Sequence, residues 1–201
     1  MNRWNPPYHL SNYDGLLIAG GPSKFTQCEG REPKNTVVVN MSVKGLEIAR
    51  RYEVIMLDAA QHMMDYYWNR RDILAKFIIP EEVDKDDRFN GFTRETFKTD
   101  KKLNKLRRLD PGPDSHIINF GITVWSALHR LTKKGSRRIL GLGVDLEEYP
   151  NGSYNGFGGP CPAASANWPT IRKQWNAFIL PELKRLGITF HSKAFYYEDQ
   201  N

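Results

Sequence analysis

Short apolar runs alternate along this chain with stretches whose apolar residues recur at helical spacing. The runs are continuous rather than alternating, and several are rich in β-branched side chains, as in Val37, Val38 and Val39. Continuous runs of this kind are typical of strands that are covered on both faces of a parallel sheet. They predict strands at residues 16–19, 36–40, 52–58, 77–79, 138–145 and 188–190.

The stretches between these runs predict helices at residues 43–51, 59–76, 122–133 and 168–186. Gly135 stands just past the third helix, where glycine commonly ends one. Pro181 has no backbone N–H and is expected to kink or split the last helix. The alternation predicts an α/β fold with a mostly parallel sheet flanked by helices, in a single Rossmann-like nucleotide-binding domain over residues 1–201.

Two long segments interrupt this alternation. Residues 81–115 are charged and rich in turn-forming residues, and they predict a lid-like insertion. Residues 146–168 are rich in Gly, Pro, Asn and Ser, and they predict an active-site loop.

Composition narrows the class of protein. The chain has 201 residues, 40% of them hydrophobic, and no apolar run approaches the roughly 20 residues that a bilayer span requires. Cys28 and Cys161 lack CxxC spacing and are expected to be reduced thiols. Without a signal peptide in the first residues, these features predict a cytoplasmic protein.

The net charge of +6 is concentrated in one segment. Between Arg94 and Arg108 there are seven basic and two acidic residues, which would attract phosphates, nucleic acid or anionic sugars. Phe89, Phe92 and Phe97 lie in or beside this segment. They could stack on nucleic-acid bases, or they could dock the segment onto the core.

A candidate phosphate site follows the first predicted strand, at Gly20-Gly21-Pro22-Ser23. The glycines allow close approach of the backbone, Pro22 presets a turn, and Ser23 offers a hydroxyl beside backbone amides. The motif is neither a Walker loop nor the GxGxxG of dinucleotide-binding proteins. A tight turn with no ligand is the alternative interpretation.

Other polar residues follow strands or open helices, and ligands of parallel sheets bind at the carboxyl ends of the strands. We expect a single pocket to collect Gly20, Gly21, Ser23, Asn40, Asn119, Gly121, Thr123, Gly143 and Asp145. Helix capping is the alternative role for Asn40, for Asp58 and for the segment Asn119–Thr123. No metal-binding motif is present, although Asp145, Glu147 and Glu148 could hold a divalent ion beside a diphosphate.

These motifs, in this order, resemble two related families. Gly20–Ser23, Asn40, the segment from Asn119 to Thr123 and the strand ending in Gly143-Val144-Asp145 are similar to the CMP-sialic-acid-dependent sialyltransferases of bacterial lipooligosaccharide synthesis. They also resemble the Rossmann-like proteins that include the archaeal 6-hydroxymethylpterin pyrophosphokinases. The most specific part is Gly143-Val144-Asp145 followed by Tyr149, Asn151-Gly152-Ser153 and Tyr154.

The sialyltransferase resemblance implies that the glycine turn and Asn40 hold the nucleotide, and that Tyr149 and Tyr154 hydrogen-bond the departing phosphate. Asp145 is expected to act with these tyrosines in catalysis. The family's general base is a histidine in the loop after the Asp-containing strand, and this chain has no histidine between residues 146 and 168. Glu147, Glu148 and His191 are the remaining candidates by residue type.

Three functions stay open from the sequence. The first is a glycosyltransferase whose substrate is a CMP- or UDP-linked sugar, with no tightly bound cofactor and with an anionic acceptor at Arg94–Arg108. The second is a pyrophosphokinase, or another nucleotide-phosphate enzyme on the same fold, that uses Mg²⁺. The third is a non-enzymatic nucleotide- or nucleic-acid-binding module.

Overall fold

The computed structural model describes residues 9–44, 46, 51–57, 60–70, 74–98, 123–146 and 168–195. Its seven strands form one sheet, in the order β5-β4-β3-β2-β1-β6-β7, and every neighbouring pair is parallel. The strands are β1 Gly15–Ile18, β2 Asn35–Val39, β3 Arg51–Ile55, β4 Leu74–Pro80, β5 Arg94–Phe97, β6 Arg138–Leu142 and β7 Thr189–Ser192. The predicted α/β fold with a parallel sheet is confirmed.

Helices cover both faces of this sheet. They are α1 Gln61–Trp68, α2 Thr123–Lys133, α3 Trp168–Gln174 and α4 Leu180–Arg185, with a π-helical turn at Trp175–Ile179 between α3 and α4. α1 packs in the apolar cluster of one face, whereas α2 and α4 pack in that of the other. None of the described helices is long and apolar enough to span a bilayer.

Successive residues of each strand point to opposite faces, and in the central strands β1 and β2 both faces are buried. In β1, Leu17 belongs to the cluster that includes Trp125 of α2, while Leu16 belongs to the cluster that includes Met64 of α1. A strand that contributes to two apolar layers needs apolar residues at consecutive positions. The continuous runs in the sequence therefore have their cause in the double covering of the sheet.

The structure corrects several predicted boundaries. The helix predicted at residues 59–76 is too long, because Leu74–Pro80 is already β4. The third strand is Arg51–Ile55, so it begins one residue earlier and ends three residues earlier than the predicted 52–58. Glu53 is accommodated in it at 9% exposure because Arg130 of α2 neutralises its charge.

Part of the segment predicted to be an insertion is instead part of the sheet. Arg94–Phe97 forms β5, the edge strand beside β4, and residues 99–115 lie outside the described residues. Phe89 and Phe97 are 0% and 2% exposed. They pack into the core and are not available to stack on nucleic-acid bases.

The interruption predicted at Pro181 is confirmed. The π-helical turn Trp175–Ile179 directly precedes α4, whose second residue is Pro181. Proline cannot donate to the carbonyl four residues earlier and its ring crowds that position, so the helix widens by one residue per turn before it.

A network of charged side chains joins α2 to the sheet at the edge where the strands begin. Arg130 donates to both oxygens of Glu53 at 2.9 and 3.0 Å and to both oxygens of Glu95 at 2.7 and 3.0 Å. Lys134 lies 3.0 Å from Glu53, and Lys76 lies 2.6 Å from Glu95. Burial acts to raise the pKa of both carboxyls, but hydrogen bonds and charge from these cations outweigh it, so the pKa of Glu53 is lowered and that of Glu95 falls to about 2.

Replacing the central cation of this network should destabilise the fold in a pH-dependent way. We expect Arg130→Met to lower the free energy of unfolding by about 2 to 3 kcal/mol at neutral pH, because Glu53 then keeps only Lys134. Carboxyls with a lowered folded pKa stabilise the fold above their unfolded pKa and lose that contribution as pH falls. The difference between wild type and variant should therefore shrink from about pH 5 towards pH 2.

Urea denaturation across this pH range measures the effect. Arg138→Met is the matched control, because Arg138 is exposed on the same edge of the sheet. We expect this control to change stability by less than about 0.5 kcal/mol. Equal losses in the two variants would contradict a specific role for Arg130.

Candidate functional site

The strand order places a topological switch point between β1 and β6. The chain proceeds from β1 through β2 to β5 on one side, then returns to place β6 on the other side of β1. α1 lies on one face of the sheet, and α2 and α4 lie on the opposite face. In such sheets the connections diverge at the switch point and leave a crevice beyond the carboxyl ends of the two strands. We call this side of the sheet the carboxyl edge.

Two glycine-containing turns meet at the switch point. The N–H of Gly21 donates to the carbonyl of Gly143 at 2.9 Å, and a Cβ on Gly21 would lie 2.6 Å from that carbonyl and 2.6 Å from Oδ2 of Asp145. Gly143 has φ +74°, and a Cβ there would overlap the carbonyl oxygen of Ala19. Both positions require glycine because the turns after β1 and β6 touch backbone to backbone.

Ser23 and Asp145 lock these turns together. The Ser23 N–H donates to Oδ2 of Asp145 at 3.0 Å, its hydroxyl donates to Oδ1, and the Gly143 N–H donates to the Ser23 hydroxyl at 3.0 Å. Asp145 is only 3% exposed. We call this arrangement the Ser23–Asp145 clamp, and it gives Asp145 a positioning role; its expected catalytic role stays a prediction.

Two residues of the carboxyl edge adopt left-handed backbone conformations. Asn40, directly after β2, has φ +53°, which asparagine tolerates well. Leu146, directly after Asp145, has φ +50°, which is uncommon for a bulky residue. Arg172 of α3 holds Leu146 in place by donating to its carbonyl at 2.7 Å. Backbone strain of this kind is concentrated at functional sites in proteins.

Lys24 is a residue of this edge that the sequence analysis missed. It is 1% exposed, and its ammonium donates to the carbonyls of Ser42 at 3.0 Å and Lys44 at 3.1 Å. It thereby ties the turn after β1 to the turn after β2. Burial, and secondarily the charge of Lys44, lowers the pKa of Lys24 to about 8. A lysine that follows a glycine turn is normally exposed to solvent, so the neighbouring sequence gave no indication that the Lys24 side chain is buried.

The structure brings most of the described candidates to the same edge. Because the strands are parallel, their carboxyl ends share one side, which collects Gly20, Gly21, Pro22, Ser23, Asn40, Gly143 and Asp145. α2 runs from this edge towards the amino ends, where its Arg130 meets Glu53, so Thr123 at its first position belongs to the carboxyl edge. His191 lies inside β7, where its Nδ1 contacts the Tyr13 hydroxyl at 2.8 Å.

Several predictions fall outside the described residues: those for Asp58, Asn119, Gly121, Glu147, Glu148, Tyr149 and Tyr154. Of the basic segment, Arg94 is described, and it pairs with Asp84 and donates to the carbonyl of Phe89 at 3.0 Å. Among the described residues, no three His, Cys, Asp or Glu side chains form a group that could hold a metal ion.

Three backbone amides of the glycine turn and of Lys24 after it are already hydrogen-bonded within the protein. The backbone N–H groups of Gly21, Ser23 and Lys24 donate to Gly143, Asp145 and Gly21 respectively. In this structure these three amides are used within the protein. A further feature of this edge that favours an anion is the amino terminus of α2, with the positive end of the helix dipole.

Glycine at position 143 should be needed for the contact between the turns as well as for its backbone conformation. We expect Gly143→Ala to lower the free energy of unfolding by about 3 to 5 kcal/mol, from a left-handed conformation and from steric overlap together. Gly135→Ala is the matched control, because Gly135 has φ +82° and open space around its Cβ position. Its expected cost is about 1 to 2 kcal/mol.

Chemical denaturation of both variants measures the difference, which isolates the steric part. Similar losses at positions 143 and 135 would show that the turns can separate at little cost.

Lys24 should make stability rise with pH. Its folded pKa of about 8 lies below the unfolded value of 10.5, so the unfolded state binds more protons between these values, and stability increases across that window. We expect wild type to gain about 1 to 2 kcal/mol relative to Lys24→Met between about pH 7.5 and 9.5. Denaturation at several pH values tests this, and a constant difference between the two proteins would refute it.

Comparisons with known proteins add little to this geometry. No family model and no curated protein matches the chain. One solved structure that is similar is that of the MAf glycosyltransferase from Magnetospirillum magneticum AMB-1, with 15% sequence identity and a TM-score of 0.42. The match covers 72% of this chain and 24% of that protein, so this chain spans about a quarter of its length. A similarity of this level says nothing about the activity of this chain.

Proposed function

We propose that this protein is a glycosyltransferase that binds a nucleotide-sugar donor in the crevice at the carboxyl edge. The observation that carries the proposal is the convergence, at one switch point, of the clamped turns after β1 and β6 with Asn40 next to them after β2. Nucleotides bind at this position in doubly wound sheets. The sequence resemblance to CMP-sialic-acid-dependent enzymes supports a sugar-linked nucleotide as the ligand.

The donor's phosphate would lie at the start of α2 rather than on the glycine turn. α2 has 11 residues, and its amino terminus carries the positive end of the helix dipole, which favours an anion. Thr123 at its first position adds a hydroxyl. The glycine turn would then serve the site by its close packing. Because Gly21 has no Cβ, this turn lies directly against Asp145 and leaves space above it for the nucleotide.

Asn40 would recognise the nucleoside. Its main chain is held by two hydrogen bonds, from its own N–H to Ile55 and from the Tyr67 hydroxyl to its carbonyl. Its amide side chain stands on this fixed backbone, and a primary amide offers a planar donor and acceptor pair suited to ribose hydroxyls or a base edge. The left-handed backbone conformation of Asn40 would thus fix the position from which its side chain meets the nucleoside.

In the reaction, an acceptor hydroxyl would attack the anomeric carbon while the bond from that carbon to the phosphate oxygen breaks. Negative charge then grows on the departing nucleotide, and oriented donors that stabilise it lower the barrier. The α2 terminus would supply part of this stabilisation, and Tyr149 and Tyr154 the rest. The acceptor's proton would pass to Glu147 or Glu148, since the Asp145 carboxylate is engaged by Ser23.

A nucleotide panel tests the proposal. We expect CMP or UDP, or a sugar derivative of one of them, to raise the Tm without added metal, because binding to the folded state alone stabilises it. Asn40→Gly should weaken that binding by about tenfold, the loss of roughly one hydrogen bond, without lowering stability, since glycine accepts φ +53°. Asn69→Gly, an exposed position after α1, is the control and should bind normally.

Other outcomes of the panel would point elsewhere. A response to ATP that requires Mg²⁺ would favour the pyrophosphokinase, and salt-sensitive DNA binding with no nucleotide response would favour a nucleic-acid-binding module. With a donor identified, Tyr154→Phe should lower kcat by about 10- to 1,000-fold with little change in donor KM. Full turnover in that variant would remove Tyr154 from the mechanism.

A further inference from the structure

A second cavity opens at the amino edge of the sheet, the side on which the strands begin and therefore opposite to the donor crevice. Its volume is about 350 Å³, within the range of small-molecule sites. Three of the residues that line it are lysines. The lining residues are Lys34, Thr36, Tyr52, Glu53, Leu74, Lys76 and Lys134. We call it the amino-edge cavity.

The charge around this cavity is unbalanced. Among the described residues around it, its three lysines and Arg130 face the two carboxylates of Glu53 and Glu95, a difference of two positive charges. Arg130 already donates to all four oxygens of these carboxylates. The acids are therefore satisfied without the lysines, and the excess positive charge lies on the lysines that line the cavity.

The lysines retain donors for a ligand. Lys76 and Lys134 each make one ion pair, at 2.6 and 3.0 Å, and an ammonium has three N–H groups. Lys34 is exposed, immediately before β2, and makes no hydrogen bond or ion pair within the part of the chain that the structure describes. Three ammonium groups around one cavity repel one another, and a bound anion would reduce that repulsion.

We propose that the amino-edge cavity binds the phosphate monoester of a small molecule that carries an apolar or planar group. Three separate ammonium groups suit the tetrahedral oxygens of a phosphate, whereas a carboxylate is matched best by the planar fork of an arginine. A phosphate monoester carries a charge near −2 at neutral pH, which offsets the excess. Leu74, at 60% exposure, provides an apolar wall for that group.

Phenyl phosphate is a suitable probe, added to the full chain and followed by the backbone amide shifts in ¹⁵N NMR spectra. We expect a Kd at or below about 1 mM at about 0.1 M salt, with shifts centred on Thr36, Glu53 and Lys76. Benzoate, with the same ring and one negative charge, should bind at least about fivefold more weakly. Shifts confined to Ser23 and Gly143 would place the ligand in the donor crevice and overturn this proposal without touching the proposed function.

Substituting single lysines distinguishes binding of phenyl phosphate in the amino-edge cavity from nonspecific attraction of an anion to a basic protein. Lys34→Met should weaken phenyl phosphate by about five- to tenfold and leave the Tm unchanged, since Lys34 is exposed. Lys85→Met removes the same charge from an exposed lysine in the turn after β4, at the carboxyl edge, and should leave the affinity unchanged. Equal weakening in the two variants, or benzoate binding as tightly as phenyl phosphate, would overturn the proposal.

Discussion

The carboxyl edge depends on how closely the turns after β1 and β6 approach each other. Gly21 and Gly143 make the approach sterically possible, and the Ser23–Asp145 clamp holds it with hydrogen bonds that are shielded from water. Low local polarity strengthens such bonds and makes a broken one costly. Because β1 and β6 flank the switch point, their clamped turns form the floor of the crevice above it.

Neighbouring contacts extend this rigidity across the edge. Lys24 ties the turn after β1 to the turn after β2, and Arg172 of α3 fixes the carbonyl of Leu146 after the clamp. The strained conformation of Leu146 persists because the clamp on one side and Arg172 on the other determine it. In the proposed donor site, the backbone would then be held before a ligand arrives, which would reduce the ordering that binding must otherwise impose.

The two edges of the sheet use charge differently. At the switch point of the carboxyl edge, the Asp145 carboxylate accepts from a buried hydroxyl and a backbone amide, and the Lys24 ammonium donates to backbone carbonyls. At the amino edge Arg130 joins two carboxylates, and lysines surround a cavity. A phosphate at the switch point would therefore meet mainly neutral dipoles. A phosphate in the amino-edge cavity would meet full charges, whose attraction is weakened by salt. Binding at the two sites should be distinguishable by this difference.

The local sequence pattern alone was enough to predict the parallel sheet, four of its central strands and the break at Pro181. A strand that is covered on both faces needs consecutive apolar residues, and a proline within a helix interrupts it, so both features are visible in the sequence. The pattern missed β5, since Glu95 is polar and is accommodated in the sheet through Arg130, which is remote in sequence. Glycines and polar residues at strand ends indicated where a crevice would form. That Asp145 faces Ser23, and that Lys24 is buried, was decided by the tertiary structure alone, because each depends on partners that only the packing of separate strands brings within hydrogen-bond distance.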